Sequence, residues 1–340
     1  MKRYIASDSG KFATKVALAA QDLSGYRDFG FRTKTGPGSF DDDAVEVGTY
    51  IATIDGITYK IGNGAPKEAE LETSKKTETH RNCTMLALAL AASEDGKTDF
   101  SVAIGMPVGP YRNVDERKAY KEYMLPLGPM EVAYMGQDGK TIKKNFNIAN
   151  RYVYPESAGA LYIDMEANHD TAAVVDMGNL NVGATLYQNC EPDYESSNSS
   201  ELGGQILISG LAAALSAEYS SRIDNRLVSS ILRLPAEQRF LTPVRQGTGI
   251  EESSKKFIDN YLLEHVKDVK RMCDSLRWPL DFMKLTFIGG TSDLLRNEIK
   301  TVFGESASIP EKPSTVNARG FLRRLVAWEE KKLLPMKEVS

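Results

Sequence analysis

Short apolar runs ending in acidic, glycine-bearing turns occur twice along the chain with the same internal spacing. Tyr4-Ile5-Ala6 leads into Asp8-Ser9-Gly10, and Thr171 through Val175 leads into Asp176-Met177-Gly178. Beyond each turn, small and apolar residues alternate, in Val16-Ala17-Leu18 and in Ala184-Thr185-Leu186. The outer pair of each lies eight and ten residues past the aspartate (16−8 and 184−176; 18−8 and 186−176). Apolar run, tight turn and alternating run together predict a β-hairpin, here built once in each half of the chain. Backbone N–H groups at glycine turns cradle phosphates, and paired aspartates hold hydrated Mg²⁺. Two related halves serving one nucleotide is the arrangement this repetition implies.

The intervening segments follow the periods of strand and helix. Residues 2–35 read as strands with tight turns, closing near Lys34-Thr35-Gly36-Pro37-Gly38. Short β signals then continue to about Glu72, at Val45-Glu46-Val47, Tyr50-Ile51-Ala52 and Thr58-Tyr59-Lys60-Ile61, and predict a small β insertion. Thr79–Ala92 carries the apolar face of a helix, Phe100–Gly105 reads as a buried strand stopped by Pro107, and Tyr111–Tyr123 reads as a charged helix. Val132–Ile148 has the pattern of a hairpin turning at Gln137-Asp138-Gly139-Lys140. Pro155 is suited to start a helix, with Glu156 in the first turn. After the second acidic turn, Glu195–Ser200 reads as a polar loop and Gln205 to about Tyr219 as a helix. Residues 220–282 are mostly helical in pattern, Leu285–Ile288 is a buried strand, and Asn317 to about Lys332 forms a closing helix.

Composition narrows the partners. A chain of 340 residues accommodates two domains of ordinary size, and 41% hydrophobic with 26% charged residues is usual for a globular protein. The net charge of −4 provides no basic excess to displace counterions, so direct nucleic-acid binding is not expected. Cys83, Cys190 and Cys273 have neither a metal spacing nor the pattern of a disulfide framework, which points to a cytoplasmic protein. Met85–Ala92 is the longest apolar stretch, far below the ~20 residues that span a bilayer, and no secretory signal precedes the first strand.

Several residues are candidates for chemistry. Asp8 and Asp176 are placed to hold hydrated Mg²⁺, although turn aspartates are common at strand ends. Lys15, leaving the first turn, and Lys11 within it offer ammonium groups to phosphates. Glu156 is either the residue that orients or deprotonates an attacking water, or an acid favoured by a helix N-terminus. Gly289-Gly290 joins a strand to the Thr291-Ser292-Asp293-Leu294-Leu295 segment, either to admit a base or ribose or as a structural turn; Gly203-Gly204 carries the same two readings. No Gly-x-x-x-x-Gly-Lys loop and no Gly-x-Ser-x-Gly elbow occurs, and His80, His169 and His265 have no ligand spacing and suit surface or helix positions.

Taken in order, these segments resemble the actin-like ATPase superfamily, and within it the plasmid-segregation actins of the ParM/Alp type. Asp8-Ser9-Gly10-Lys11-Phe12-Ala13-Thr14-Lys15 resembles the first phosphate motif, Pro155-Glu156-Ser157-Ala158-Gly159-Ala160 the first connecting helix, and Val174-Val175-Asp176-Met177-Gly178 the second phosphate motif. Phe287-Ile288-Gly289-Gly290-Thr291-Ser292 is similar to the adenosine motif, and Asn317-Ala318-Arg319-Gly320-Phe321 to the start of the closing helix. Lys11-Phe12 stands where the family often has Ser or Thr, Asn179-Leu180-Asn181 where a run of Gly and Thr is usual, and Thr291 where a third Gly is frequent.

The resemblance implies a two-lobed, ribonuclease H-like α/β fold with nucleotide between the lobes. Residues 1–153 plus 317–340 would form one lobe, with a β insertion at about 37–100, and 154–316 the other, with a helical subdomain at about 205–282. It implies ATP, with GTP as the open alternative, and Mg²⁺ held by Asp8 and Asp176. Ser9, Gly10, Lys11, Lys15, Gly178, Asn179, Gly203, Gly204, Gly289, Gly290 and Thr291 would contact nucleotide, with Glu156 and Asp176 catalytic. The implied function is a filament-forming ATPase that drives plasmid segregation through a DNA-bound adaptor, without contacting nucleic acid or membrane itself. A small-molecule kinase of the same superfamily and a non-hydrolysing actin-like scaffold are the alternatives.

Overall fold

The computed structural model describes residues 1–41, 45–68, 75–164, 171–242 and 249–339. His169 lies outside them, as do parts of the stretches expected to form the β insertion and the helical subdomain. The chain divides into two compact units, Met1–Asn168 with Thr315–Ser340, and His169–Ser314.

The first unit opens with β1 (Lys2–Ser9), β2 (Ala13–Ala19), β3 (Tyr26–Arg32) and β4 (Lys34–Pro37), followed by β5 (Thr49–Ile54), β6 (Ile57–Gly62) and the short β7 (Lys67–Glu68). Then come α1 (Glu78–Ala91), β8 (Thr98–Met106), α2 (Val108–Tyr111), α3 (Val114–Met124), β9 (Gly128–Met135), β10 (Thr141–Pro155) and α4 (Gly159–Ile163). The ten strands form one sheet in the order β3-β2-β1-β8-β10-β9-β5-β6-β4-β7. β1 pairs antiparallel with β2 but parallel with β8, as β8 does with β10. β10 is 15 residues long; its first part pairs with β9 and its last with β8, across an irregularity between Ile148 and Asn150. The small strands continue the main sheet through the β5–β9 pairing. Val45-Glu46-Val47, expected as a strand signal, is in no strand.

The second unit contains β11 (Thr171–Met177), β12 (Val182–Gln188), β13 (Glu191–Ser200), α5 (Gly204–Glu218), α6 (Asn225–Leu232) and α7 (Ile250–Ser275). It continues with β14 (Leu285–Ile288), α8 (Gly290–Leu294), α9 (Arg296–Phe303) and β15 (Ala307–Ser308); α10 (Val316–Glu330) then rejoins the first unit. Its sheet runs β13-β12-β11-β14-β15, with β11 antiparallel to β12 and parallel to β14. That order repeats β3-β2-β1-β8-β10 strand for strand. The polar Glu195–Ser200 segment is the end of β13 and not a loop. It is polar because it occupies a sheet edge, paired only to β12 and largely open to solvent.

Burial explains the helices. Thr77 caps α1, its hydroxyl accepting from the His80 amide, and almost every residue from Thr79 to Ala91 is buried. In β1, Ile5 joins the core with Met85, Leu86 and Phe100, whereas the hydroxyl of its neighbour Tyr4 reaches Glu330 of α10. Successive strand residues face opposite sides, so α1 and α10 cover opposite faces of this sheet. In the second unit Ser254, Ile258, Leu262, His265, Val266, Val269, Met272 and Cys273 form the buried stripe of α7, packed with Val175, Leu211, Phe287 and Ile299. His80 and His265 are therefore buried helix residues, and all three cysteines are free.

The helix pair α4–α10 packs backbone close against backbone. A Cβ on Gly320 would stand 2.0 Å from the Gly159 carbonyl oxygen and 2.6 Å from its carbonyl carbon, both backbone atoms that cannot rotate away. Gly320→Ala is therefore expected to destabilise the protein by about 3 kcal/mol or more. Gly109→Ala in α2, where a Cβ meets nothing within 4 Å, should shift stability by less than about 1 kcal/mol. Urea unfolding of both variants checks this; equal midpoints would refute the close-approach argument.

Candidate functional site

Each acidic turn is closed by its own glycine. Gly10 N–H donates to the Ala13 carbonyl at 3.1 Å, and Gly178 N–H to the Asn181 carbonyl at 2.9 Å. The strand registers agree as well: Asp8 faces Lys15 and Ser9 faces Thr14, while Asp176 faces Gly183 and Met177 faces Val182. A Cβ on either glycine would lie 3.0 Å from the carbonyl oxygen that accepts its amide. Both amides are used within the turns, so the glycines serve by having no side chain and a ligand must meet neighbouring groups.

In the first unit, Asp8 and Ser9 are buried at the end of β1. Ser9 Oγ lies 3.0 Å from Thr84 Oγ1, which donates to the His80 carbonyl at 2.9 Å, tying the turn to α1. The Lys15 ammonium would be 3.6 Å from a Cβ on Gly10, so it folds back over the turn. Lys11 and Phe12 are partly exposed within it, and Phe12 carries the Arg32 guanidinium 3.5 Å above its ring.

Glu156 is not in a helical first turn. Pro155 ends β10 opposite Met106, and the Glu156 amide extends the pairing by donating to the Met106 carbonyl at 2.8 Å. Ser157 then takes a left-handed φ of 69°, and helix begins only at Gly159. The strand pairing overrides the helix-starting preference of Pro155, and Glu156 owes its position to the sheet and not to a helix dipole.

A residue that the sequence reading missed joins this cluster. The Lys75 ammonium pairs with Glu156 Oε1 and lies 4.0 Å from Asp8 Oδ1. Its only local signal is its position just before the Thr77 cap; Glu156 is 81 residues away. Tyr120, fully buried with its hydroxyl donating to the Gly105 carbonyl at 3.0 Å, feels the same charges. Burial raises its phenol well above the usual tyrosine range, and the carboxylates of Glu156 and Asp8 add to the rise.

The second unit gathers its expected residues around the second turn. Gly204 N–H and Thr291 Oγ1 both donate to the Gly178 carbonyl, at 3.1 and 2.8 Å. Gln205 N–H donates to the Asn179 carbonyl at 2.7 Å and Gly203 N–H to the Leu180 carbonyl at 3.2 Å. The start of α5 thus docks on the turn carbonyls, and this close approach requires Gly203: a Cβ there would be 2.2 Å from the Leu180 carbonyl carbon. Gly289, at φ 91°, leaves room where a Cβ would meet the Met177 carbonyl oxygen at 2.4 Å and Asp176 Oδ1 at 2.6 Å. Gly290 is exposed with open space beside it. Thr291 is buried with its hydroxyl engaged on the Gly178 carbonyl, so it braces the turn.

Among the described residues, no group of three or more His, Cys, Asp or Glu side chains is placed to hold a metal ion. A metal served here by single carboxylates would keep most of its water, as Mg²⁺ does. The glycine-lined turns and the Lys15 ammonium over Gly10 fit a phosphate group.

Residues 6–159 match the family model described as actin like proteins N terminal domain. Among solved structures, the chain is similar to that titled Alp12 filament structure, at 23% identity and a TM-score of 0.72, over 96% of this chain and 99% of that one. It is similar to Ta0583, an archaeal actin homolog, at 19% identity and a TM-score of 0.73, over 97% and 100%. It is also similar to Bacillus thuringiensis ParM with ADP, at 13% identity and a TM-score of 0.69, over 96% and 99%. Among curated proteins no sequence matches the chain. The fold is therefore the mixed α/β actin-like fold with two sheets. No helix among the described residues is long and apolar enough to cross a membrane.

Burial, assisted by the positive charges of Lys75 and Lys11, pushes His80 from 6.5 down to about 3. The unfolded chain binds this proton as pH falls below about 6.5, whereas the folded protein does so only near 3. The stability contributed by neutral His80 is complete above pH 6.5 and declines on acidification. Lowering the pH from 6.5 to 5 should remove at most about 2 kcal/mol through this residue. His80→Gln should flatten that loss in urea unfolding at the two pH values, and an unchanged pH slope would count against it.

Proposed function

We propose that the protein is a nucleotide-dependent, filament-forming ATPase. The observation that carries this reading is the duplicated acidic hairpin, with the same register and glycine closure in both units. It is supported by the similarity to Alp12, known as a filament, and to ParM with ADP. In this reading the acidic turn of each unit takes part in nucleotide binding. Asp8 and Asp176 each offer a carboxylate to hydrated Mg²⁺, and Asp176 also belongs to the catalytic set. Mg²⁺ held there would neutralise charge on the phosphoryl oxygens.

The residues of the chain do the rest. Lys15 and Lys11 offer ammonium charge to the phosphates, with Ser9, Gly10, Gly178 and Asn179 forming the turns around them. Glu156 orients a water and accepts its proton as the water oxygen bonds to the terminal phosphorus and the bond from that phosphorus to the bridging oxygen breaks, releasing the nucleoside diphosphate. Gly289 and Gly290 leave room for the nucleoside, while Gly203, Gly204 and Thr291 brace the second turn. ATP is the proposed nucleotide, with GTP to be compared. Head-to-tail contact between identical copies does not close and so builds a polymer. Hydrolysis would destabilise that polymer, and the proposed role is plasmid DNA segregation through a DNA-bound adaptor protein in the cytoplasm.

Pelleting and phosphate release, followed together with ATP, GTP, ADP and no nucleotide, test the reading. Triphosphate-dependent pelleting that decays as phosphate appears is expected. Phosphate transfer to a metabolite without assembly would replace this reading with the kinase. Assembly without phosphate release would replace it with the scaffold. Glu156→Gln should keep nucleotide binding and polymerisation while slowing phosphate release by roughly 10²-fold; an unaltered rate removes Glu156 from the mechanism. Asp8→Ala and Asp176→Ala should each weaken Mg-nucleotide binding.

A further inference from the structure

Lys75 is a cation for which the chemistry above has no use. Its side chain is only 10% exposed, and among the described residues the carboxylates of Glu156 and Asp8 near its ammonium are ones the nucleotide reading requires for other work. Its backbone has a φ of 52°, a left-handed conformation that a lysine adopts only where its surroundings hold it. A buried ammonium without anions nearby is strongly disfavoured, and these carboxylates stabilise Lys75 there. His80, close enough to feel the Lys75 charge, is kept neutral by burial and adds no second cation to the cluster.

The two uses of Glu156 exclude each other. A carboxylate oxygen held by an ammonium is stabilised as the anion and is a poor acceptor for the proton of an attacking water. Mg²⁺ on Asp8 would likewise repel the ammonium 4.0 Å away. A nucleotide entering beside these carboxylates brings a further anion within reach of Lys75.

We infer that Lys75 is a further residue of the nucleotide site, which leaves Glu156 to pair with the terminal phosphate of a triphosphate. It thereby distinguishes triphosphate from diphosphate and frees Glu156 only when a bond is present to be cleaved. This rests on the nucleotide reading given above. The resting pair also links the phosphate site to α1, whose cap begins two residues after Lys75.

Two measurements on the full chain test it. In the nucleotide-free protein, urea unfolding of Lys75→Met, Glu156→Gln and the double variant should be non-additive, the signature of a coupled pair. Calorimetric titration with the Mg²⁺ complexes of a non-hydrolysable ATP analogue and of ADP then reads the nucleotide contact. Lys75→Met should lose about tenfold or more in affinity for the analogue and less than about threefold for ADP, and Lys75→Arg should stay within about threefold of wild type for both. Equal losses for the two nucleotides, no loss, or tighter binding of both would overturn the inference. If Lys75→Met does not fold, Lys75→Gln takes its place in both measurements. A wild-type protein that binds neither nucleotide would overturn the nucleotide reading itself, an outcome distinct from any failure of the variant.

Discussion

The site in each unit depends on one small closure, the amide of a turn glycine donating to the carbonyl three residues ahead. That bond fixes the hairpin register, and the register decides which side chain stands opposite the aspartate. In the first unit the partner is Lys15, so a carboxylate and an ammonium share one face of the sheet beside the turn. In the second it is Gly183, and the turn is instead braced through its carbonyls by the start of α5 and by Thr291. One backbone device thus supports two different surfaces, one lined by charge and one closely buttressed.

The charged surface is costly to maintain. Lys75, Asp8 and Glu156 are all largely withdrawn from water, where ions lose hydration that their mutual attraction only partly restores. Packing for stability alone would favour apolar side chains at such positions. The cluster persists on a rigid frame: Asp8 and Glu156 extend from the adjoining ends of β1 and β10 on either side of β8, and Lys75 enters ahead of the capped α1. Rigid strands hold the like-charged carboxylates, and Lys75 reaches them on a long, rotatable side chain.

Local pattern made most elements legible. The α1 segment, the hairpin turning at Gln137–Lys140, the closing helix and the doubled hairpin are all readable, because apolar periodicity and turn residues are properties of short windows. Glu156 and Glu195–Ser200 were misjudged for a shared reason. Their conformation comes from pairing with strands distant in sequence, Met106 on β8 in one case and β12 in the other, and no local window contains that partner.

By itself, then, the sequence determined the repetition of the acidic turns, the alternation of strand and helix, and the identity of the aspartates that close each first strand. Backbone preferences and apolar spacing act over a few residues, so they can be read without the fold. Only the tertiary structure decided that Lys75 meets Glu156 and Asp8, that Thr291 spends its hydroxyl on Gly178, and that the small strands extend the main sheet. Such contacts join residues far apart along the chain, and their energies exist only once burial has removed the water that would otherwise compete for them.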